Sequence, residues 1–188
     1  VELIDLGIIR DKRELIEQAF KDAAAQADVV ITSGGVSVGE ADFVKETLDN
    51  LGEVNFWRIA MKPGKPLAFG KVDDAWFFGL PGNPVSAMVT FLQFVRPAIN
   101  HLSGKARVTP FRIPMRCINK LKKRPGRLEF QRGIMEQDEK GETVVRGAGH
   151  QGSHILRSMS IADCFIVLPA ENSGVEAGDW VEVEPFQS

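Results

Sequence analysis

Asp42, Arg58, Lys62 and Lys65 are the side chains whose types and spacing best suit ionic chemistry in this sequence, and each lies in or beside a glycine- or proline-rich loop. A single carboxylate such as Asp42 can hold Mg²⁺ beside a phosphate. Arg58 and Lys62 stand four apart on an expected strand and so share one face, and Lys65 follows in a loop stiffened by Pro63 and Pro66. Cations constrained in this way suit an anion. Each charge-assisted hydrogen bond contributes about 1.5–3 kcal/mol. Three or four support micromolar binding, about −8 kcal/mol, where ordering costs are small. Asp42 also suits a helix N-cap, and Asp11 followed by Glu14 resembles a capping box. Spacing alone leaves both acids open between a cap and a functional role.

The loops themselves read Ser33-Gly34-Gly35-Val36-Ser37-Val38-Gly39-Glu40-Ala41-Asp42, Lys62-Pro63-Gly64-Lys65-Pro66 and Gly79-Leu80-Pro81-Gly82-Asn83-Pro84-Val85-Ser86-Ala87. Glycine lets backbone N–H groups approach a ligand closely. A helix start after such a loop adds free donors and a positive dipole end. The order of residues is neither a P-loop nor a dinucleotide fingerprint, so glycine content leaves a phosphate cradle and a tight turn both open. His150 and His154 are four apart, but Gly149, Gly152 and Ser153 argue against the helix that would aim both at one metal. Cys117 and Cys164 lack CxxC spacing and read as buried free thiols in a reducing cytosol.

These loops need elements to hold them. Residues 1–9 read as a strand, and 11–27 as a helix with Leu15, Ile16, Ala19 and Phe20 on one face. Residues 28–32 read as a buried strand, 42–51 as a helix stopped by Gly52, and 54–61, 66–71 and 76–80 as strands. A long helix is expected over 83–102, with Asn83 as N-cap and Pro84 at the first helical position. Strands alternating with helices imply a parallel, doubly wound α/β domain over 1–104. From 107 to 188 the helical period disappears. Short alternating runs at 112–117, 128–135, 143–146, 164–168 and 180–183, separated by glycine turns, predict a small all-β, barrel-like domain.

Composition sets the remaining bounds. Hydrophobic residues make up 44% of the chain, an ordinary globular fraction, and no apolar run approaches a membrane span. The sequence opens at Val1 in an apolar run without methionine, which reads as a fragment or processed product. Net charge is −2, yet residues 105–132 carry 10 Lys/Arg against Glu129 alone. Only Phe111 and Phe130 interleave that stripe, so base stacking is poorly supported, and a solvated basic barrel face is preferred to a nucleic-acid site.

The three loops in this order, followed by the segment 121–133 (LKKRPGRLEFQRG) and by Gly149-His150-Gln151-Gly152-Ser153-His154, closely resemble the molybdopterin molybdenumtransferases, the MoeA family to which the gephyrin E domain is related. The resemblance covers essentially the whole chain. It implies a molybdopterin-binding α/β domain over 1–104, lacking its first elements, and the family's C-terminal β domain over 107–188. It implies insertion of molybdate into adenylylated molybdopterin with release of AMP and a requirement for Mg²⁺.

Residue by residue, the resemblance implies that Asp42 and Asp11 are the functional acids, with Asp42 at the metal. Arg58 and Lys62 flank the anion site, although relatives often carry Lys at the Arg58 position, and Lys65 joins them. Ser33, Gly34, Gly35, Ser37 and Gly39 of the first loop and Pro81, Gly82, Asn83, Pro84 and Ser86 of the third hold the ligand, with Arg132 and Ser153 facing the pocket from the β domain. It further implies a cytoplasmic protein, a homodimer in the full-length form, a possible molybdopterin adenylyltransferase partner, and neither nucleic acid nor membrane. Two other readings stand beside it: a non-catalytic scaffold or ligand-binding fragment of the same fold, and the adenylyltransferase itself. The β module argues against the latter. Retention of Asp11, Asp42, Lys62, Pro81 and Pro84 argues against the former.

Overall fold

The chain divides into two compact units, Val1–Ile59 with Gly64–Ala106, and Ala60–Pro63 with Arg107–Ser188. The computed structural model describes residues 1–34, 41–106 and 110–186, with the backbone alone for 41–43. In chain order the elements up to residue 102 are α1 (Arg13–Gln26), β1 (Val29–Ser33), α2 (Ala41–Leu51), β2 (Gly52–Arg58), β3 (Met61–Lys62), β4 (Pro66–Val72), β5 (Ala75–Leu80), α3 (Pro84–Thr90), a π-helical turn (Phe91–Val95) and α4 (Arg96–Leu102).

Four of these strands form the sheet of the first unit, in the order β1-β5-β4-β2. One face carries Val30, Val54, Ala68 and Phe77 against Ile16 and Phe20 of α1 and Val44 and Leu48 of α2. Phe20 meets Phe77 edge-on at 5.3 Å, a contact that contributes about 0.5–1.5 kcal/mol beyond its buried area. The other face carries Leu67, Phe78 and Leu80 against Val95, with Phe91, Phe94 and Ala98 packed around them. Helices on both faces make the α/β architecture that the alternation implies. Its pairing is mixed, however: β1 and β5 run parallel, whereas β5–β4 and β4–β2 are antiparallel. The turn at Asp73 (φ 49°) joins β4 directly to β5, so no crossover helix separates them.

Several expectations shift. Residues 1–9 form no strand and are exposed, because no ladder among the described residues takes up their backbone groups. The buried face of α1 is Ile16 and Phe20 with Ala23 and Ala24, and Leu15 is 46% exposed. β1 is buried on one side only, and Ile31 is 41% exposed. Gly52 does not stop a helix by a left-handed cap. It opens β2, where a Cβ would overlap the carbonyl oxygen of Lys71, and a Cβ on Gly70 opposite would overlap that of Glu53. The expected strand over 54–61 ends at Arg58, where the Ile59 N–H donates to the Lys65 carbonyl at 2.8 Å. The expected helix over 83–102 is helical throughout but contains the π turn. Pro97 has no N–H and its ring excludes the carbonyl four residues back. The Arg96 N–H accordingly reaches Phe91 O, five residues back.

The second unit contains β6 (Ile113–Cys117), β7 (Leu121–Lys122), β8 (Leu128–Gln137), β9 (Thr143–Gly147), α5 (Arg157–Ile161), β10 (Cys164–Leu168), β11 (Gly174–Val175) and β12 (Trp180–Pro185). The order β10-β12-β6-β9-β8 closes through a further β10–β8 pairing, giving the expected barrel. Met115, Cys117, Val145, Cys164, Ile166 and Val183 belong to its core. Burial pushes both thiols above the ordinary cysteine range, as suits inert core residues. The short α5 interrupts the all-β pattern. β3, which no periodicity announces, pairs parallel with β8 through Met61↔Leu128 and Lys62↔Glu129. Among the described residues no helix is long and apolar enough to cross a membrane.

Gly70→Ala is expected to lower stability by about 1–3 kcal/mol, the usual range for overpacking, because the new methyl group meets backbone rather than a flexible side chain. Urea unfolding monitored by tryptophan fluorescence measures it, and an unchanged midpoint would contradict the close approach of β2 and β4.

Candidate functional site

The parallel register of β1 and β5, Val29↔Trp76 through Ser33↔Leu80, ends both strands at the same level. Their following loops must therefore meet. The Gly34 N–H donates to Leu80 O at 3.1 Å, and the Ser33 hydroxyl donates to Pro81 O at 3.3 Å. Gly34 has φ +94°, a conformation glycine adopts without strain, and its Cα lies 3.6 Å from where a Cβ on Gly82 would stand. Pro81 is buried, whereas Ser33, Gly82, Asn83 and Pro84 are exposed. Asn83 has the extended backbone of an N-cap but makes no cap hydrogen bond through its side chain. The Asn83 amide and the first N–H groups of α3 consequently face no intrahelical partner. Ser86, one turn into the helix, is buried.

Topology carries Arg58 and Lys65 toward the same end. β2 is antiparallel to β4 and β4 to β5, so β2 runs in the direction of β5 and β1. Arg58 closes β2 opposite Pro66, next to Lys65, at the end of the sheet where β1 and β5 finish. With strands about 4.8 Å apart, Arg58 sits roughly 10 Å across the sheet from Leu80. Arg58 also borders an apolar cavity of about 440 Å³ lined by Trp57, Ile59, Leu67, Phe69, Phe78 and Phe94. Lys65 is exposed.

Asp11 is not the helix cap: α1 begins at Arg13 with Lys12 in the cap position, and Asp11 is exposed. No described contact ties Asp11 to the loops. Asp42 is the second residue of α2 and not its cap, and its side chain lies outside the described residues, as do Gly35, Ser37 and Gly39.

Lys62 differs most from expectation. It does not share a strand with Arg58 but lies on β3, counted with the second unit. Its ammonium donates to Glu129 at 3.0 Å. Glu129 is buried, and the same Oε1 accepts Gln131 Nε2 at 3.0 Å, while Gln131 also donates to Lys122 O at 2.9 Å. Glu129 had only a weak signal in the sequence, an acid in the interior of an alternating strand.

Arg132 is 1% exposed, and its guanidinium is turned into its own unit. Nε donates to the Ser158 hydroxyl at 3.1 Å, and Nη2 donates to Gly152 O at 3.1 Å and His150 O at 3.4 Å. The Gln151 side chain completes the clamp, accepting from the Arg132 N–H at 2.8 Å and donating to its carbonyl at 3.0 Å. Desolvation lowers the Arg132 pKa, opposed by the charge of Glu129. Arg132 thereby fixes the loop that carries half-buried Ser153. Gln151 and Ser158 have no charge or spacing that would single out such a role.

Part of the basic stripe is neutralised. Arg112 pairs with Glu184, Arg116 with Asp138 and Glu142, and Lys120 with Glu176. Lys123 is buried on the carbonyls of Ala170 and Asn172. These pairs reduce the positive charge that the face offers to a phosphate backbone. Among the described residues no group of three or more His, Cys, Asp or Glu stands ready to hold a metal.

Comparison with known proteins accounts for both units. A family profile described as a probable molybdopterin binding domain matches residues 1–101, and a second, the MoeA C-terminal region (domain IV), matches residues 114–186. The chain belongs to the MoeA family. It is 53% identical over 187 residues to a molybdopterin molybdenumtransferase of Haemophilus influenzae, covering 98% of this chain and 46% of that relative. It is 35% identical over 200 residues to a gephyrin of Dictyostelium discoideum, covering 94% of this chain and 28% of the relative. A crystal structure of a molybdopterin biosynthesis moea protein from Pyrococcus horikosii superposes with a TM-score of 0.78 at 29% identity, covering 97% of this chain and 43% of that one. The chain thus spans less than half the length of these MoeA-family relatives.

Arg132→Ala is expected to cost about 3 kcal/mol, since it removes a buried guanidinium and its bonds to the Ser158 hydroxyl and to the Gly152 and His150 carbonyls. Hydrogen exchange should show residues 149–154 losing protection before the barrel strands do. Uniform loss across the unit would contradict a local clamp.

Proposed function

We propose that this chain supplies the ligand-binding core of a molybdenum cofactor enzyme that inserts molybdate into adenylylated molybdopterin and releases AMP. The observation that carries the reading is the meeting of Ser33-Gly34 with Pro81-Gly82 at the carboxyl ends of β1 and β5, where open α/β sheets bind ligands. Membership of the MoeA family supports this substrate class. In this reading the N–H groups of the first and third loops, with Ser33, Gly35, Ser37, Gly39, Asn83 and Ser86, receive the pterin phosphate. Pro81 and Pro84 keep the third loop in shape. Arg58, Lys62 and Lys65 hold the anionic charge of adenylate and molybdate. Ser153, on the loop clamped by Arg132, completes the polar surface of the second unit.

Asp42 is the proposed acid at the reacting phosphate, with Asp11 as a second. Mg²⁺ characteristically needs only one or two carboxylates beside substrate phosphates, so Asp42, with Asp11, would suffice for this ion. When bound, the ion supplies neutralisation of charge on the phosphoanhydride. The full-length enzyme is proposed to be a cytoplasmic homodimer that receives its substrate from an adenylyltransferase, with domains dividing at 104–107.

Calorimetric titration of adenylylated molybdopterin with Mg²⁺ into the chain tests this reading. Micromolar binding that weakens about tenfold in Lys62→Ala is expected, a loss of about 1.4 kcal/mol. Asp42→Ala should reduce AMP release far more than pterin binding, and turnover unchanged in that variant would remove Asp42 from the chemistry. Failure of the folded chain to bind would overturn the claim that it contains the core of the site.

A further inference from the structure

We propose that Glu129 is a positioning residue for Lys62: a buried carboxylate that tethers the ammonium and leaves its remaining donors for an anion. The inference rests on the preceding reading of Lys62 as an anion-binding residue. An ammonium carries three N–H donors. One is taken by Glu129 Oε1 at 3.0 Å, while the Lys62 side chain stays 46% exposed, so its other donors remain accessible.

The tether is itself held. Glu129 stands on β8 between two partners, Lys62 of β3 on one edge and Leu168 of β10 on the other. Gln131 Nε2 donates to the same Oε1 and to Lys122 O, which fixes the carboxylate rotamer from below. A surface lysine with no such partner samples many rotamers, and binding an anion would cost that freedom. A lysine already held by a buried acid has given up that freedom before the anion arrives. The buried carboxylate also reduces the net positive charge at Lys62. An anion is therefore gripped through geometry more than through excess charge, which favours release of the product as well as capture of the substrate.

A merely structural ion pair and a positioning pair differ in what Glu129→Gln changes. Gln keeps the shape, can still accept from Gln131, and loses the charge that holds Lys62. With Cε-labelled lysine, NMR relaxation should show Lys62 as ordered in the parent chain and as mobile as a free surface lysine in Glu129→Gln, with Glu129→Asp intermediate. Titration with adenylylated molybdopterin and Mg²⁺ should weaken about five- to tenfold in Glu129→Gln. In a Lys62→Ala background the same substitution should change affinity less than twofold, because its route of action is gone. A Lys62 equally mobile in parent and variant overturns the tether. An affinity loss that persists in full in the Lys62→Ala background overturns action through Lys62, and thermal unfolding of each variant separates that result from general destabilisation. A parent chain that binds nothing but shows an ordered Lys62 loosening in Glu129→Gln would count against the ligand reading and in favour of the tether.

Discussion

The parallel pairing of β1 with β5 is the constraint on which the candidate site depends. Parallel strands that stop at the same register deliver their loops to one place, and the backbone bond from Gly34 to Leu80 extends that pairing by one residue beyond the ladder. Everything else in the first unit serves to keep these two strands level. Phe77 and Phe78 bury on opposite faces of β5, locking it between α1–α2 and the α3–α4 run. A slip of one residue would exchange those faces and misplace both rings in cores shaped for the other.

The second unit solves a different problem. Five strands close on themselves, so each interior edge is satisfied and the polar side chains that remain inside are there for specific bonds. Arg132, Glu129, Gln131 and Lys123 are all buried, and each is matched to carbonyls, an amide or an opposite charge. Buried polar groups without such partners are costly, so these bonds define which loop conformations the barrel tolerates. Conversely, the charged stripe of 105–132, conspicuous in the sequence, is partly consumed in ion pairs of Arg112, Arg116 and Lys120 with distant acids.

Much of this was legible from residue order because the signals are local. Strand and helix positions follow from apolar period, Pro84 marks the start of α3, and the glycine loops mark the ends of β1 and β5. What escaped depends on partners distant in sequence. β3 is two residues long and has no period of its own; Lys62 becomes a strand residue only because Leu128 and Glu129 offer an edge 67 residues later. Residues 1–9 have a strand's composition but no described ladder to join. The inward turn of Arg132 depends on carbonyls in a loop about twenty residues away, and no composition rule places a guanidinium there. The π turn did have a local cause, Pro97, which interrupts the hydrogen-bond ladder without ending the helix.

The excursion of residues 60–63 into the second unit has a consequence for how this protein can be taken apart. The backbone leaves the first unit after Ile59, lends β3 to the barrel, returns at Gly64, and leaves again near 106. A single scission between the units, at 104–107, would therefore not yield two self-sufficient modules. The severed β portion would lack the Leu128 N–H to Ala60 O bond and the partner of Glu129, and the start of β8 would present a bare edge. The α/β portion would keep the segment 60–63, with its two-residue strand and nothing to pair against. Genetic shuffling of either half into another protein must carry this insertion in register, so the two halves are expected to be inherited as one piece.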